Sequence, residues 1–163
     1  AIGTVRLSFV LVPIVLGGIM TGVWGGAFLG LIFGVITLIM GVVGLDGFTF
    51  ILFSDHPFLT VATCLVKGTA AGLVSAALYE EIVKRNKTAA VFTAAAVAPI
   101  VNTGLFIVGA LFMADTLKAN FVQNTSVIYF LFIGCAGVNF LIELAINLLL
   151  SPVLLRVIKI VRK

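Results

Sequence analysis

The chain has 163 residues, of which 62% are hydrophobic and only 10% are charged. Soluble domains carry nearer a quarter of charged residues, so this composition excludes a water-soluble globule. It predicts an all-α integral membrane protein that forms one transmembrane domain over residues 1–163. With a net charge of +4, placement of the basic residues matters more than the sign. We expect a lipid bilayer around the chain, and no nucleic-acid partner.

Five apolar runs are long enough, or nearly so, to cross a bilayer, which takes about 20 residues. They lie at residues 7–20, 23–44, 58–79, 89–114 and 126–150. The first run is short, and the turn TGVWGG predicts a tight helical hairpin between it and the second. Ser151-Pro152 is expected to end the last span and lead into a basic tail.

Basic residues predict the orientation, because cytoplasmic loops are enriched in them. One cluster lies between the third and fourth spans and the other in the tail, so two crossings place both on the cytoplasmic face. The clusters consist of Lys84, Arg85, Lys87, Arg156, Lys159, Arg162 and Lys163. The chain then begins outside, and the odd number of spans indicates that a first helix is missing.

The loops at residues 45–57 and 115–125 then face outward. The first of them is apolar and aromatic for a loop, which fits either an interfacial segment or a lid over a pocket. Phe53, Asp55 and His56 are the candidate gating residues of that lid. A solvent-facing role for His56, the only histidine, is the simpler interpretation.

Polar side chains at membrane depth are functional candidates by default and usually face the bundle interior. Lys67, Asn102 and Asn139 belong to three different predicted helices. Counted from the outer ends at about 1.5 Å per residue, each lies roughly 15–20 Å deep, near the midplane. Their convergence is the most specific arrangement in the sequence.

Glu143 follows Asn139 by four residues and therefore lies on the same helix face. Lys67 either pairs with Glu143 to neutralise two buried charges or presents its ammonium to a ligand carboxylate. A lysine that extends to the interface is a third interpretation. The remaining candidates for the pocket wall are Thr63, Thr103 and Tyr129, with Thr103 following Pro99, a residue that kinks helices.

Glycines recur every four residues through the first hairpin, at Gly18, Gly22, Gly26, Gly30 and Gly34. Small residues at this spacing let helices approach closely. The pattern fits internal packing and a docking surface for another membrane protein equally well.

The stretch EEIVKR at residues 80–85 matches the EExxxR pattern of membrane-embedded CAAX-type proteases. Those enzymes also need histidines on other helices, and this chain has one histidine, on the opposite face. Motifs of other hydrolases and of nucleotide binding are missing from the sequence. We therefore predict that the chain is not an enzyme and has no cofactor and no metal site.

With the spans placed, the chain resembles the substrate-binding S component of an energy-coupling factor (ECF) vitamin transporter. VPIVLGGIMTGVWGGAFLGLIFG resembles the second and third helices of that family, and HPFLTVATCLVKGTAAGLVSAALYE the fourth. APIVNTGLFIVGALF resembles the fifth and NFLIELAINLLLSPVLLRVIK the sixth. The resemblance covers nearly the whole chain, through patterns of small and apolar residues.

The resemblance implies a compact bundle of six helices, of which five are visible here. It implies a location in the bacterial cell membrane and a vitamin site near the outer face. Loops at residues 1–6, 45–57 and 115–125 would close that site. Uptake would need a transmembrane T component and two cytoplasmic ATPase subunits. The AxxxA docking motif of the family lies on its first helix, and no counterpart precedes Ala1, which fits the expectation that this helix is missing. The glycines of the hairpin are then the candidates for part of the partner surface.

These observations favour a vitamin-binding S component with pantothenate as ligand, its carboxylate at Lys67 and its hydroxyls and amide at Asn102 and Asn139. Folate and a pyrimidine or pyridine vitamin are the alternatives. A non-catalytic membrane scaffold is the alternative of a different class, and it predicts a closed Lys67–Glu143 pair with no cavity beside it.

Overall fold

The structure, a computed structural model, describes residues 9–161, and every element in that part is helical. The predicted start of the first span, the family loop at residues 1–6, Arg162 and Lys163 lie outside the described residues. The elements are α1 (Leu11–Thr21), α2 (Val23–Val42), α3 (Gly47–Asp55), α4 (Pro57–Val83), α5 (Lys87–Leu111), α6 (Ala114–Asn120), α7 (Val127–Tyr129), which continues as a π-helical segment (Phe130–Cys135), and α8 (Gly137–Val161).

Within the described residues, four helical stretches are long and apolar enough to cross a membrane. They are Val23–Val42, Pro57–Val83, Lys87–Leu111 and Val127–Val161. The chain is thus all-helical over its described part and has the long apolar helices of a membrane-spanning protein, as the composition predicts. α1, with 11 residues, is shorter than the span predicted there.

α1 and α2 form the predicted hairpin, with Gly22 alone between them. Gly22 has φ +87°, in the left-handed region that side chains disfavour. Its N–H donates to Gly18 O at 2.9 Å, and its carbonyl accepts from Gly26 N at 2.9 Å. The reversal therefore satisfies backbone groups at the end of one helix and the start of the next.

α2 packs closely on α4 because glycines on both helices remove the side chains between the two backbones. A Cβ built on Gly26 would lie 2.5 Å from Gly72 O, and one on Gly34 would lie 2.5 Å from Cys64 O. A Cβ on Gly30 would collide with Gly68 O. α4 also packs along α5, and α8 packs on α5, so α4 and α5 occupy the middle of the bundle.

Both outward segments expected as loops contain helices. Asp46 caps α3: its carboxylate accepts from Phe48 N at 3.2 Å and from the Thr49 hydroxyl at 2.6 Å. That cap lets a short aromatic stretch become helical instead of irregular. α6 occupies residues Ala114–Asn120 of the second segment.

The prediction that Ser151-Pro152 ends the last span is wrong, because α8 runs through Pro152 to Val161. Proline removes one helical hydrogen bond, and apolar residues on both sides keep the helix packed. Leu154 and Ile158, beyond the proline, are 4% and 0% exposed. Arg156 and Lys159 of the expected tail are therefore helical residues.

The core of the described residues consists of two large apolar clusters and a smaller one formed by Leu11, Ile14 and Phe33. We call the end of the bundle that carries α3 and α6 the outer end and the opposite end the inner end. The outer cluster consists of Phe48, Leu52, Ile107, Ala110, Met113, Leu117, Val127, Leu131 and Ala136, with Phe106, Phe121 and Phe130 packed against it. The inner cluster consists of Val15, Ile19, Tyr79, Ala90, Val91, Ala94, Ala98, Leu154 and Ile158. Both contain residues of α5, whose inner half meets Leu154 and Ile158 and whose outer half meets Leu131 and Ala136. The final helix thus runs antiparallel to α5.

Candidate functional site

Between the two apolar clusters lies a band of polar side chains, which we call the polar layer: Lys67, Asn102, Asn139 and Glu143. None of the four belongs to either cluster. Asn102 is 7% exposed and Glu143 is 3% exposed, while Lys67 and Asn139 are half-buried. The three predicted helices contribute to one layer, through α4, α5 and α8.

A hydrogen bond from Asn147 to α5 fixes the register of α8 against that helix. Pro99 has no N–H, so the carbonyl of Ala95, four residues earlier, loses its helical donor. The Asn147 side chain, 2% exposed, donates from Nδ2 to Ala95 O at 2.9 Å. Asn147 is thus occupied in completing the backbone of α5.

This register places the polar layer along the bundle axis. Asn139 precedes Asn147 by eight residues and Asn102 follows Ala95 by seven, so both lie about 10–12 Å outward of the Asn147–Ala95 bond. The two amides therefore share one depth. Glu143 lies about 6 Å outward of that bond, at the inner end of the layer.

Lys67 lies at the outer end of the polar layer. One turn before it on α4, Thr63 lies against Gly109 of α5. The Lys67 ammonium lies 5.8 Å from the ring centroid of Phe33 on α2 and 5.4 Å from that of Phe106 on α5. Aromatic ring faces attract a cation at this distance.

Lys67 and Glu143 do not form the ion pair expected as one alternative. The ion pairs of the described part of the chain join His56 to Asp115 and Lys84 to Glu81. Lys67 attracts the Glu143 carboxylate through space, but the ammonium and the carboxylate are separate. The cation is therefore held by ring contacts, with its hydrogen-bond donors available.

Three acceptor oxygens of the polar layer are buried without a hydrogen-bond partner among the described residues: Asn102 Oδ1, Asn139 Oδ1 and Glu143 Oε2. The other carboxylate oxygen, Glu143 Oε1, accepts from Asn139 Nδ2 at 3.4 Å, longer than an ideal bond. A buried acceptor left without a donor costs about 1–3 kcal/mol. The layer thus holds unsatisfied hydrogen-bonding capacity on two helices.

Aromatic rings cover the polar layer from outside. Phe106, one turn outward of Asn102, lies 5.8 Å from Phe48 of α3, centroid to centroid. Phe48 lies 4.9 Å from Phe121, which follows α6, and Phe121 stacks on Phe130 at 5.9 Å. The rings come from α3, α5, the end of α6 and the π-helical segment, so they close the polar layer at the end of the bundle that carries α3 and α6.

A polar contact joins the two outward segments. His56 Nε2 lies 3.1 Å from both carboxylate oxygens of Asp115, at the first turn of α6. This hydrogen bond holds the pKa of the exposed Asp115 carboxyl below its usual range. The gating candidate His56 thus links the α3–α4 junction to α6.

The other predicted site residues lie around the layer or outside it. Thr63 and Thr103 are half-buried, and Phe53 is half-buried on α3. Asp55 is exposed. Tyr129 is 56% exposed at the start of the final helix, so the structure does not bury it with the polar layer.

The glycine stripe is used within the chain. Gly26, Gly30 and Gly34 face the backbone of α4, Gly18 faces Ala76 of α4 and Gly26, and Gly22 lies near the Glu80 side chain. This is the internal packing that the spacing allows. These close contacts occupy the face that the alternative interpretation assigns to docking.

Sequence reasoning missed three residues that shape the site: Phe48, Phe106 and Asp115. Phe48 and Phe106 read as ordinary apolar residues, and their ring contacts depend on how α3 folds back over α5. Asp115 is 59 residues from His56 along the chain. The sequence does contain a signal for Asn147. It lies on the same helix face as Glu143, and Pro99 predicts that the carbonyl of Ala95, four residues earlier, needs a donor from elsewhere.

The described residues also include an apolar groove along α4, lined by Leu65, Val66, Thr69, Ala70, Leu73 and Val74. It contains none of the polar layer.

The described part of the chain has no group of three or more metal-ligating side chains. In comparisons with known proteins, no family model, no curated protein and no solved structure matches the chain.

Proposed function

We propose that the chain binds a small water-soluble vitamin at the polar layer and serves as the S component of an ECF-type importer in the bacterial cell membrane. Pantothenate is the favoured ligand. Its carboxylate meets Lys67, and Asn102 and Asn139 bond its hydroxyls and amide. A T component and two ATPase subunits supply the energy for uptake.

One observation carries this proposal: among the described residues, Asn102, Asn139 and Glu143 hold buried acceptor oxygens without hydrogen-bond partners, close to Lys67, which forms no ion pair there. Buried polar groups are normally satisfied, and exceptions need an explanation. A scaffold that only packs against other subunits gains nothing from such groups. A bound polar ligand would satisfy the acceptors and the ammonium together.

The outer cover fits delivery of a ligand from outside. Phe48 lies against Phe106, which is beside the Lys67 ammonium, and Phe121 lies against Phe48. α3 and α6 are short helices between the long ones, and both contribute residues to the outer cluster, which their separation would open. In this proposal the ligand enters when they separate and is enclosed when they close.

The test is calorimetric titration of the purified protein with a panel of vitamins, namely pantothenate, folate, thiamine, pyridoxine and nicotinate. Lys67→Ala is compared with Lys118→Ala, an exposed lysine on α6 that serves as the matched control. We expect one vitamin to bind tightly, Lys67→Ala to abolish binding with the fold retained, and Lys118→Ala to bind normally. If no vitamin binds to the wild-type protein, the transporter proposal is wrong.

A further inference from the structure

Among the described residues, the inner end of the polar layer has more hydrogen-bond acceptors than donors. Asn139 donates from Nδ2 to Glu143 Oε1, and the amide oxygen of Asn139 has no hydrogen-bond partner among the described residues. Glu143 Oε2 has no hydrogen-bond partner among the described residues either. Two buried acceptors one helical turn apart, Asn139 Oδ1 and Glu143 Oε2, therefore both lack a hydrogen-bond donor among the described residues.

The Lys67 ammonium does not supply a hydrogen bond to these two acceptors. It lies over the rings of Phe33 and Phe106 and forms no ion pair with Glu143. Thr63 is level with Gly109, and Asn147 is level with Ala95. This register places Lys67 and Glu143 roughly 9 Å apart along the bundle axis. The layer thus has a cationic outer end and an acceptor-rich inner end.

We infer that Asn139 and Glu143 determine the specificity of the site by accepting hydrogen bonds from hydroxyl or N–H groups of the ligand. The substrate class is a small anion whose donors lie at the end remote from its negative charge. The inference rests on the proposed function and deepens it, because it assigns an orientation to the ligand. The anionic group faces Lys67 and the donor groups face inward.

Discrimination follows from the burial of the two acceptors. A ligand that lacks the donors leaves Asn139 Oδ1 and Glu143 Oε2 unpaired inside the bundle. Sites built to bond a polar group reject analogues without that group far more strongly than apolar pockets reject a missing methylene. A buried acceptor left without its donor lowers affinity by about tenfold to a hundredfold.

The experiment compares three ligands on the wild-type protein by calorimetry. They are pantothenate, its analogue without both hydroxyl groups, and pantothenol, in which a hydroxyl replaces the carboxylate. We expect the analogue without hydroxyls to bind at least about tenfold more weakly than pantothenate. Pantothenol should lose affinity as well, because it has no anion for Lys67. This comparison requires no variant.

Glu143→Gln then tests whether Glu143 accepts hydrogen bonds from the donor groups of the ligand. Glu81→Gln, at an exposed glutamate at the inner end of α4, is the matched control. A glutamine can turn its N–H₂ group to the position of Oε2. We therefore expect Glu143→Gln to reduce the discrimination between pantothenate and the analogue without hydroxyls. The loss of affinity for pantothenol should be unchanged in Glu143→Gln, and Glu81→Gln should behave as wild type.

The outcomes separate this inference from the proposed function. Equal binding of pantothenate and the analogue without hydroxyls overturns the inference and leaves the proposed function standing. Tight binding of nicotinate, an anion with no donor on its ring, does the same. Binding of folate in place of pantothenate supports the inference, since folate carries N–H groups remote from its carboxylates. If none of these vitamins binds, both proposals are wrong.

Discussion

Asn147 donates a hydrogen bond of 2.9 Å from its side-chain amide to the carbonyl oxygen of Ala95, which Pro99 leaves without a helical donor. The bond repairs the backbone of α5 from a neighbouring helix. It also sets the depth of Glu143 and Asn139, which precede Asn147 by one and two turns on the same face of α8.

Removal of this bond should destabilise the bundle. We expect Asn147→Ala to lower the free energy of unfolding by about 1–3 kcal/mol, because Ala95 O becomes a buried acceptor without a donor. In a Pro99→Ala background the same change should cost less, since the alanine N–H restores the helical bond. Chemical unfolding of the four proteins in detergent measures the difference.

The matched control is Asn124→Ala, which removes an exposed amide before α7 and should leave stability unchanged. If Asn147→Ala costs the same with and without Pro99, the hydrogen bond to Ala95 is not what Asn147 contributes.

The α2–α4 contact should not tolerate a methyl group. Gly30→Ala places a Cβ against Gly68 O, and backbone atoms cannot move aside as a flexible side chain can. We expect a loss of 1–3 kcal/mol or more, about the cost of overpacking a core. Gly104→Ala is the control, because a Cβ there has no atom within 4 Å. It should be neutral or slightly stabilising in a helix. Thermal unfolding of both variants gives the comparison, and equal melting temperatures would contradict the close approach.

Phe48 on α3 should contribute more to stability than Phe58, an aromatic residue at the start of α4. Phe48 is 5% exposed and contacts Phe106 and Phe121, whereas Phe58 is 89% exposed. We expect Phe48→Ala to cost about 3–5 kcal/mol, as for a buried phenylalanine, and Phe58→Ala to cost little. Denaturant titration in one detergent measures both. A small effect of Phe48→Ala would mean that α3 does not cover the bundle stably.

The His56–Asp115 contact should make stability depend on pH. The folded-state pKa of Asp115 lies below its ordinary value because of the hydrogen bond from His56. Its contribution is therefore present above the ordinary pKa of about 3.9 and is lost as the pH falls through the lower folded-state value. The effect is small because the contact is exposed.

Melting temperatures of wild type and Asp115→Ala measured from neutral to acidic pH test this contact. We expect the difference between them to be constant above about pH 4 and to vanish at lower pH. Asp55→Ala, an exposed neighbour of His56, is the control. His56→Ala and the double variant separate the contact from the interaction of Asp115 with the N-terminus of α6. A difference that persists in the His56→Ala background would assign the effect to α6 alone.

The sequence predicted the long apolar helices and the hairpin at Gly22 correctly, because hydropathy and glycine spacing depend on local order. It placed Asn102 and Asn139 at a common depth by counting from helix ends. It was wrong at Pro152, because the packing of Leu154 and Ile158 outweighs one lost hydrogen bond. The helices α3 and α6 also went unpredicted, since stretches of nine and seven residues are too short to give a clear periodicity.

By itself, the sequence determined that the chain has the long apolar helices of a membrane-spanning protein and that Lys67, Asn102, Asn139 and Glu143 lie within apolar runs. Only the tertiary structure decided which of these groups are paired. Asn147 is satisfied by Ala95, Lys67 lies over two rings apart from Glu143, and three acceptors have no donor among the described residues. Which groups pair depends on the register between helices. That register is set by the glycine contacts between α2 and α4, by the ring contacts of Phe48 and by the hydrogen bond of Asn147 to the carbonyl that Pro99 leaves free.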